Sequence, residues 1–184
     1  MDTNEINFVI NSASLLVDTQ AIQRCIDKLA SKLTDEYQGR NPICLVAMKG
    51  GLIFAGQLLT RLDFLLQVEY CHPTRGRQDI LESEMAWKTR PPASIKNRDV
   101  LIIDDIYDEG HTLVSIAMKC EQMGAKSVGV VVLVSKKHDR KIPIPASSIH
   151  CGFEVPDKFV FGFGLDYKGF FRNCNCIYMI ENPG

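Results

Sequence analysis

The sequence predicts an α/β fold: one domain on a central, mostly parallel sheet flanked by helices. Three observations carry this. Residues 43–48, 99–103 and 127–135 are short, nearly continuous apolar runs, the pattern of strands buried on both faces. Helical periodicity follows the first two runs, each time after a turn containing glycine. Over residues 43–70 the order strand, Gly50-Gly51 turn, helix, strand makes a βαβ unit, which forces parallel pairing.

The elements follow in order. Asp18 or Thr19 can cap a helix in which Ile22, Ile26, Leu29 and Leu33 recur at helical spacing, with Arg24, Asp27, Lys28 and Lys32 turned outward; it stops near Gly39 and Pro42. A strand at 43–48, a helix at 52–62 and a strand at 64–70 come next. Residues 71–97 hold Pro73, Gly76, Pro91 and Pro92 with little periodicity, as a long functional loop would. The central strand spans 99–103, a helix spans 112–123 and ends at Gly124, and a valine-rich strand spans 127–135. Residues 136–141 are basic and polar. The aromatic, glycine-containing remainder reads as a small second layer over the sheet. The expected organisation is a single domain over 1–184: a core at about 14–145, a mobile loop at about 71–97 and a C-terminal hood at about 146–184.

Composition bounds the function. The charge of −1 argues against a protein that binds nucleic acid by bulk electrostatics. No apolar run approaches the roughly 20 residues that span a bilayer, and the acidic, polar N-terminus does not read as a secretory signal. Seven cysteines without paired CxxC spacing suit a reduced, cytoplasmic chain.

The chemistry concentrates in Val100-Leu101-Ile102-Ile103-Asp104-Asp105-Ile106-Tyr107-Asp108-Glu109-Gly110-His111-Thr112. In open α/β sheets ligands collect beyond the carboxyl ends of strands. Two carboxylates there suit a ribose diol or a hydrated metal. The following loop, ending where Thr112 opens or caps a helix, can point backbone N–H groups at a phosphate. No lysine follows the glycine as in a Walker loop, and the glycines of a dinucleotide fingerprint are missing. Lys49, Asp104 and Lys136 each follow a predicted parallel strand, so neighbouring strands would bring all three to one sheet edge. At Gly50 and Gly51 no side chain separates the loop backbone from an anionic ligand.

This motif resembles the phosphoribosyl-diphosphate (PRPP) site of the type I phosphoribosyltransferases. Met48-Lys49-Gly50-Gly51 is similar to that family's pyrophosphate loop. Gly152-Phe153-Glu154-Val155-Pro156-Asp157-Lys158-Phe159-Val160, with Leu165-Asp166-Tyr167 and Phe171-Arg172-Asn173, resembles the purine-binding end of the hypoxanthine-guanine branch. The likeness spans about residues 14–180.

The resemblance implies the type I phosphoribosyltransferase fold and a purine salvage enzyme. Such an enzyme transfers 5-phosphoribose from PRPP to N9 of hypoxanthine or guanine, giving IMP or GMP and pyrophosphate. It implies Mg²⁺, held by Asp104 and Asp105 at the ribose hydroxyls and by Asp166. Residues Asp108, Glu109, Gly110, His111 and Thr112 would cradle the 5′-phosphate. Lys49, Gly50 and Arg172 would hold pyrophosphate, after a non-proline cis peptide at Met48–Lys49. Lys136 would donate to the purine O6, Phe159 would stack on the base, Val160 would meet its edge through the backbone, and Asp166 would complete the pocket. Asp108 would be the catalytic base at N7, its pKa raised by neighbouring negative charge.

Two departures accompany the likeness. Asp104 stands where Glu is commoner, so its hydroxyl contact would run through water. The Ser-Tyr pair that many relatives carry in the long loop is missing from 71–97, as in a bacterial variant of the family. The resemblance further implies a homodimer or homotetramer, with an exposed apolar face on the helix after Asp18 as its sign. Partners are PRPP and 6-oxopurines, with no nucleic acid and no membrane. Two other readings share the fold: a PRPP- or nucleotide-sensing regulator that binds nucleic acid, and a xanthine-preferring transferase.

Overall fold

The computed structural model describes residues 2–74 and 86–180. A six-stranded sheet forms its centre, with order β4-β3-β2-β5-β6-β7. The strands are β2 (Ile43–Ala47), β3 (Gln67–Thr74), β4 (Ala86–Thr89), β5 (Asp99–Tyr107), β6 (Ser127–Lys137) and β7 (Ser148–Pro156). All pairings are parallel except β3 with β4. The three predicted apolar runs are therefore the adjacent strands β2, β5 and β6.

Both faces of these strands are covered, which is why their sequences are nearly continuous apolar runs. Leu101, Ile103, Val131 and Leu133 pack under α2 (Thr19–Tyr37) and α3 (Gly51–Leu59). Val100, Ile102, Val130 and Val132 pack under α4 (His111–Gln122). Asp18 caps α2 by accepting the Ala21 N–H at 2.7 Å. Ile22, Ile26, Leu29 and Leu33 are buried against the sheet, so this helix does not carry the exposed apolar face expected of an oligomer contact. Large exposed apolar side chains lie elsewhere, at Phe8 and Ile10 and at Leu65, Val68 and Tyr70. Leu101, fully buried in β5, is expected to cost about 2–5 kcal/mol when cut to alanine, read as a lowered melting temperature.

Several elements differ from the sequence reading. β5 and β6 run on past residues 103 and 135: Asp104 and Tyr107 pair with Val132 and Ser135, and Lys136 pairs with Val155 of β7. Asp104, Asp105 and Lys136 therefore sit on strands, not in loops. Residues 71–97 are not one long loop. β3 extends to Thr74 and pairs with β4, the register shifting between His72 and Pro73, where proline leaves the ladder without a donor. The rest of the predicted mobile loop, 75–85, lies outside the described residues.

The hood boundaries also change. β7 was expected in the hood but extends the main sheet beside β6. In the hood sheet β9 (Ile177–Ile180) instead lies between β8 (Phe159–Phe161) and β1 (Ser14–Val17), the last from the other end of the chain. Helix α1 (Thr3–Ser12), which polar composition did not predict, buries Val9 against Phe161, Tyr167 and Ile180. Val160, Leu165 and Ile177 join the core under α2 and α3, so hood and sheet share one apolar interior. Among the described residues no helix is long and apolar enough to cross a membrane.

Candidate active site

The carboxyl ends of β2, β5 and β6 and the hood enclose a cavity of about 1130 Å³. The residues assigned site roles from the sequence line it, Lys49 and Gly50, Asp104 and Asp105, residues 108–112, Lys136, Phe159 and Val160, Asp166 and Arg172, whereas Gly51 faces the central strand. Val160 keeps its side chain in the core while lining the wall; Phe159 stands edge-on to Tyr167, with ring centroids 5.4 Å apart.

At one end lies the Lys49-Gly50-Gly51 turn, with the Met48–Lys49 peptide cis as expected. A Cβ on Gly50 would run into the Asp105 carboxylate, so this loop and the acidic pair are in close contact. Alternation along β5 turns Asp104 and Asp105 toward opposite faces. They are 7% and 8% exposed, and the Asp105 N–H donates to Asp104 Oδ1 at 2.9 Å. Burial pushes both carboxyls up, and the charge of Asp105 pushes Asp104 well above the usual range. The Arg172 guanidinium, 3.7 Å from Asp105, pulls its neighbour only part of the way back. A buried carboxylate pair this short of positive charge fits a divalent cation. Arg172 also donates to Asp166 Oδ1 and the Gly164 carbonyl, each at 2.5 Å. The second Asp166 oxygen accepts the Gly169 N–H at 2.6 Å, so both of its oxygens are engaged.

In the middle, Gly110 takes a left-handed φ of 99° and caps α4, which opens at His111 rather than at Thr112. The loop before it is braced from one side. The Tyr107 hydroxyl donates to the Ile142 carbonyl at 2.7 Å, and the Ile142 N–H donates to the Glu109 carbonyl at 2.8 Å. Loop N–H groups at the start of a twelve-residue helix suit a phosphate.

At the far end, Lys136 Nζ donates to Asp108 Oδ2 at 2.8 Å and the His138 ring meets Asp108 Oδ1 at 2.8 Å. Burial raises the Asp108 carboxyl, but the hydrogen bonds from Lys136 and His138 and the Lys136 charge outweigh it, and the net direction is down. The expected upward shift is thus reversed, because two cationic or donor groups face this carboxylate directly. Asp157 lies 3.9 Å from Lys136 and is tied to Arg140 at 2.9 Å; Arg140 also reaches Glu109 at 3.2 Å. Atoms of Asp108, His138 and Asp157 lie within 4.8 Å of one another, as metal ligands can. Lys136 and Arg140 already supply the positive charge there, so Asp104 and Asp105 are the better cation site.

His138 and Asp157 were missed by sequence reasoning. The signal for His138 was present: Lys136 and His138 are two apart at the end of an extended segment, and so share a side.

Residues 12–168 match the phosphoribosyl transferase domain family. The chain belongs to this family. It is 35% identical over 168 residues to a hypoxanthine-guanine phosphoribosyltransferase of Bacillus subtilis, covering 91% of this chain and 92% of that one. A Staphylococcus aureus protein of the same name is 33% identical over 162 residues, covering 86% and 88%. The crystal structure of a hypoxanthine phosphoribosyltransferase from Staphylococcus aureus superposes with a TM-score of 0.82 at 30% identity, covering 98% and 97% of the two chains. This phosphoribosyltransferase therefore shares its fold with purine-handling members of the family.

Proposed function

We propose that this phosphoribosyltransferase is a purine salvage enzyme acting on hypoxanthine and guanine. The observation that carries the reading is one cavity with a base-reading pair, Lys136 and Asp108, at one end and Lys49, Gly50 and the buried acidic pair at the other. The similar proteins above are all transferases, which favours the enzyme over the nucleic-acid-binding regulator.

The bond from ribose C1 to the pyrophosphate oxygen breaks and the bond from C1 to N9 forms. Residues 108–112 hold the 5′-phosphate, and Lys49, the Gly50 backbone and Arg172 hold the departing pyrophosphate. Asp104 and Asp105, with Asp166 toward the pyrophosphate, would hold Mg²⁺, which would supply positive charge where the leaving group becomes negative. When the purine enters, Lys136 turns from Asp108 to the 6-oxo group. Asp108 Oδ2, released from the ammonium, accepts the N7 proton as N9 becomes glycosylated. An amino purine would set a donor against the Lys136 ammonium, which rejects adenine. Phe159 packs on the base. The free thiols, four of them buried, fit a reducing cytoplasm. A homodimer or homotetramer completes the reading.

The Lys136 step has a direct test. Lys136→Ala is expected to lower kcat/KM for hypoxanthine by about 10²-fold and to narrow its preference over adenine. An unchanged rate and unchanged preference would overturn the base-reading role.

A further inference from the structure

We propose that His138 is a positioning residue: it holds Asp108 by one carboxylate oxygen, leaving the other aimed at the purine. This rests on the reading of Asp108 as the base at N7.

The His138 side chain is 4% exposed, and its Nε2 lies 2.8 Å from Asp108 Oδ1. Its Nδ1 accepts the Arg140 backbone N–H at 3.2 Å. Nδ1 is therefore the acceptor, the ring proton resides on Nε2, and His138 donates to the carboxylate. Lys136 holds the other oxygen, but a lysine that must turn to the purine cannot hold Asp108 during the transfer. His138 has no such second task. It keeps the carboxylate from rotating once Lys136 leaves. The same geometry excludes a relay: with Nδ1 occupied and Nε2 protonated, the ring has no free lone pair to take the N7 proton onward.

The other charged groups nearby are engaged with one another. Arg140 pairs with Asp157 and Glu109, and Lys137 pairs with Glu154. Asp157 stands 3.9 Å from Lys136. Lys136 and His138 are thus the groups on β6 and its continuation that bond Asp108 directly.

The test compares His138→Met, which fills the space without a donor, with His138→Gln, which keeps an N–H near the Nε2 position. Melting temperatures establish that both fold. For His138→Met, kcat with hypoxanthine is expected to fall about 10- to 100-fold, with KM for PRPP unchanged. Losing a hydrogen bond that favours the ionised carboxylate also moves the acid limb of kcat to higher pH. His138→Gln is expected to restore both rate and limb. Wild-type turnover and an unshifted limb in His138→Met would overturn the proposal, as would equal losses in both variants. Asp108→Asn, run in parallel, separates the two layers. If it loses turnover while His138→Met does not, only the positioning role fails; if it keeps turnover, the base assignment fails and the positioning role with it.

Discussion

Asp108→Asn is expected to lower turnover by about 10²–10⁴-fold while changing PRPP affinity little. The amide has nearly the volume of the carboxylate but cannot take the N7 proton. It also presents its NH₂ to one of two donors, Lys136 Nζ or His138 Nε2, which now meet an acceptor on one side only. The pyrophosphate end of the cavity, at Lys49, Gly50 and the acidic pair, is not touched by the change. Steady-state kcat and KM for PRPP read the two effects separately.

The pH dependence follows with a definite sign. In the free enzyme Lys136 and His138 hold the Asp108 carboxyl below the usual carboxylate range despite its burial. The acid limb of kcat/KM, which reports the free enzyme, therefore lies below that range. Bound purine takes Lys136 away and removes one of the downward effects, so the Asp108 pKa rises in the complex and the acid limb of kcat lies at higher pH. A downward shift in the free state is thus compatible with a competent base, because the substrate itself strips the carboxylate of its ammonium partner. Coincident limbs for kcat and kcat/KM would show that Lys136 does not leave Asp108.

Gly50→Ala is expected to lower kcat/KM for PRPP by about 10²-fold with little loss of stability. Gly50 has φ −57° and ψ −51°, a conformation alanine adopts without strain, so the added methyl alone is at issue. That methyl would occupy the place of the Asp105 carboxylate. A terminal carboxylate can rotate away, which spares the fold but displaces the group proposed to meet the ribose and the cation. Gly51→Ala provides the contrast. There the Cβ would lie 2.6 Å from the Ile103 carbonyl oxygen, a backbone atom of the central strand. Backbone cannot give as a side chain does, so that change is expected to destabilise by about 1–3 kcal/mol. Kinetics and thermal unfolding on both variants distinguish a displaced ligand group from a disturbed sheet.

The site was legible where it depends on chain order and strand direction. Lys49, Asp104 and Lys136 follow apolar runs that had to be parallel, and parallel neighbours carry their carboxyl ends to one edge. What stayed hidden depends on non-local pairing. Nothing within residues 14–17 says that they pair with residues 177–179. The β7 segment is mostly half-exposed and lacks a buried run, so its place at the sheet edge is set by β6 rather than by its own pattern. The downward direction of the Asp108 shift stayed hidden for a related reason: it is set by Lys136 and His138, about thirty residues away, and not by the neighbouring negative charge that predicts a rise. His138 itself was passed over because residues 136–141 read as a generic basic stretch, when Lys136 and His138 continue the two-residue period of β6.

Joining phosphoribose to a 6-oxopurine in this cavity is open to direct assay. The most direct measurement supplies PRPP and Mg²⁺ with hypoxanthine, guanine, xanthine or adenine in parallel and follows nucleotide and pyrophosphate. IMP and GMP are expected from the first two and no product from adenine. Strong turnover of xanthine would keep the chemistry and revise the pocket around the purine 2-position. PRPP binding without turnover of any base would overturn the proposed purine transfer.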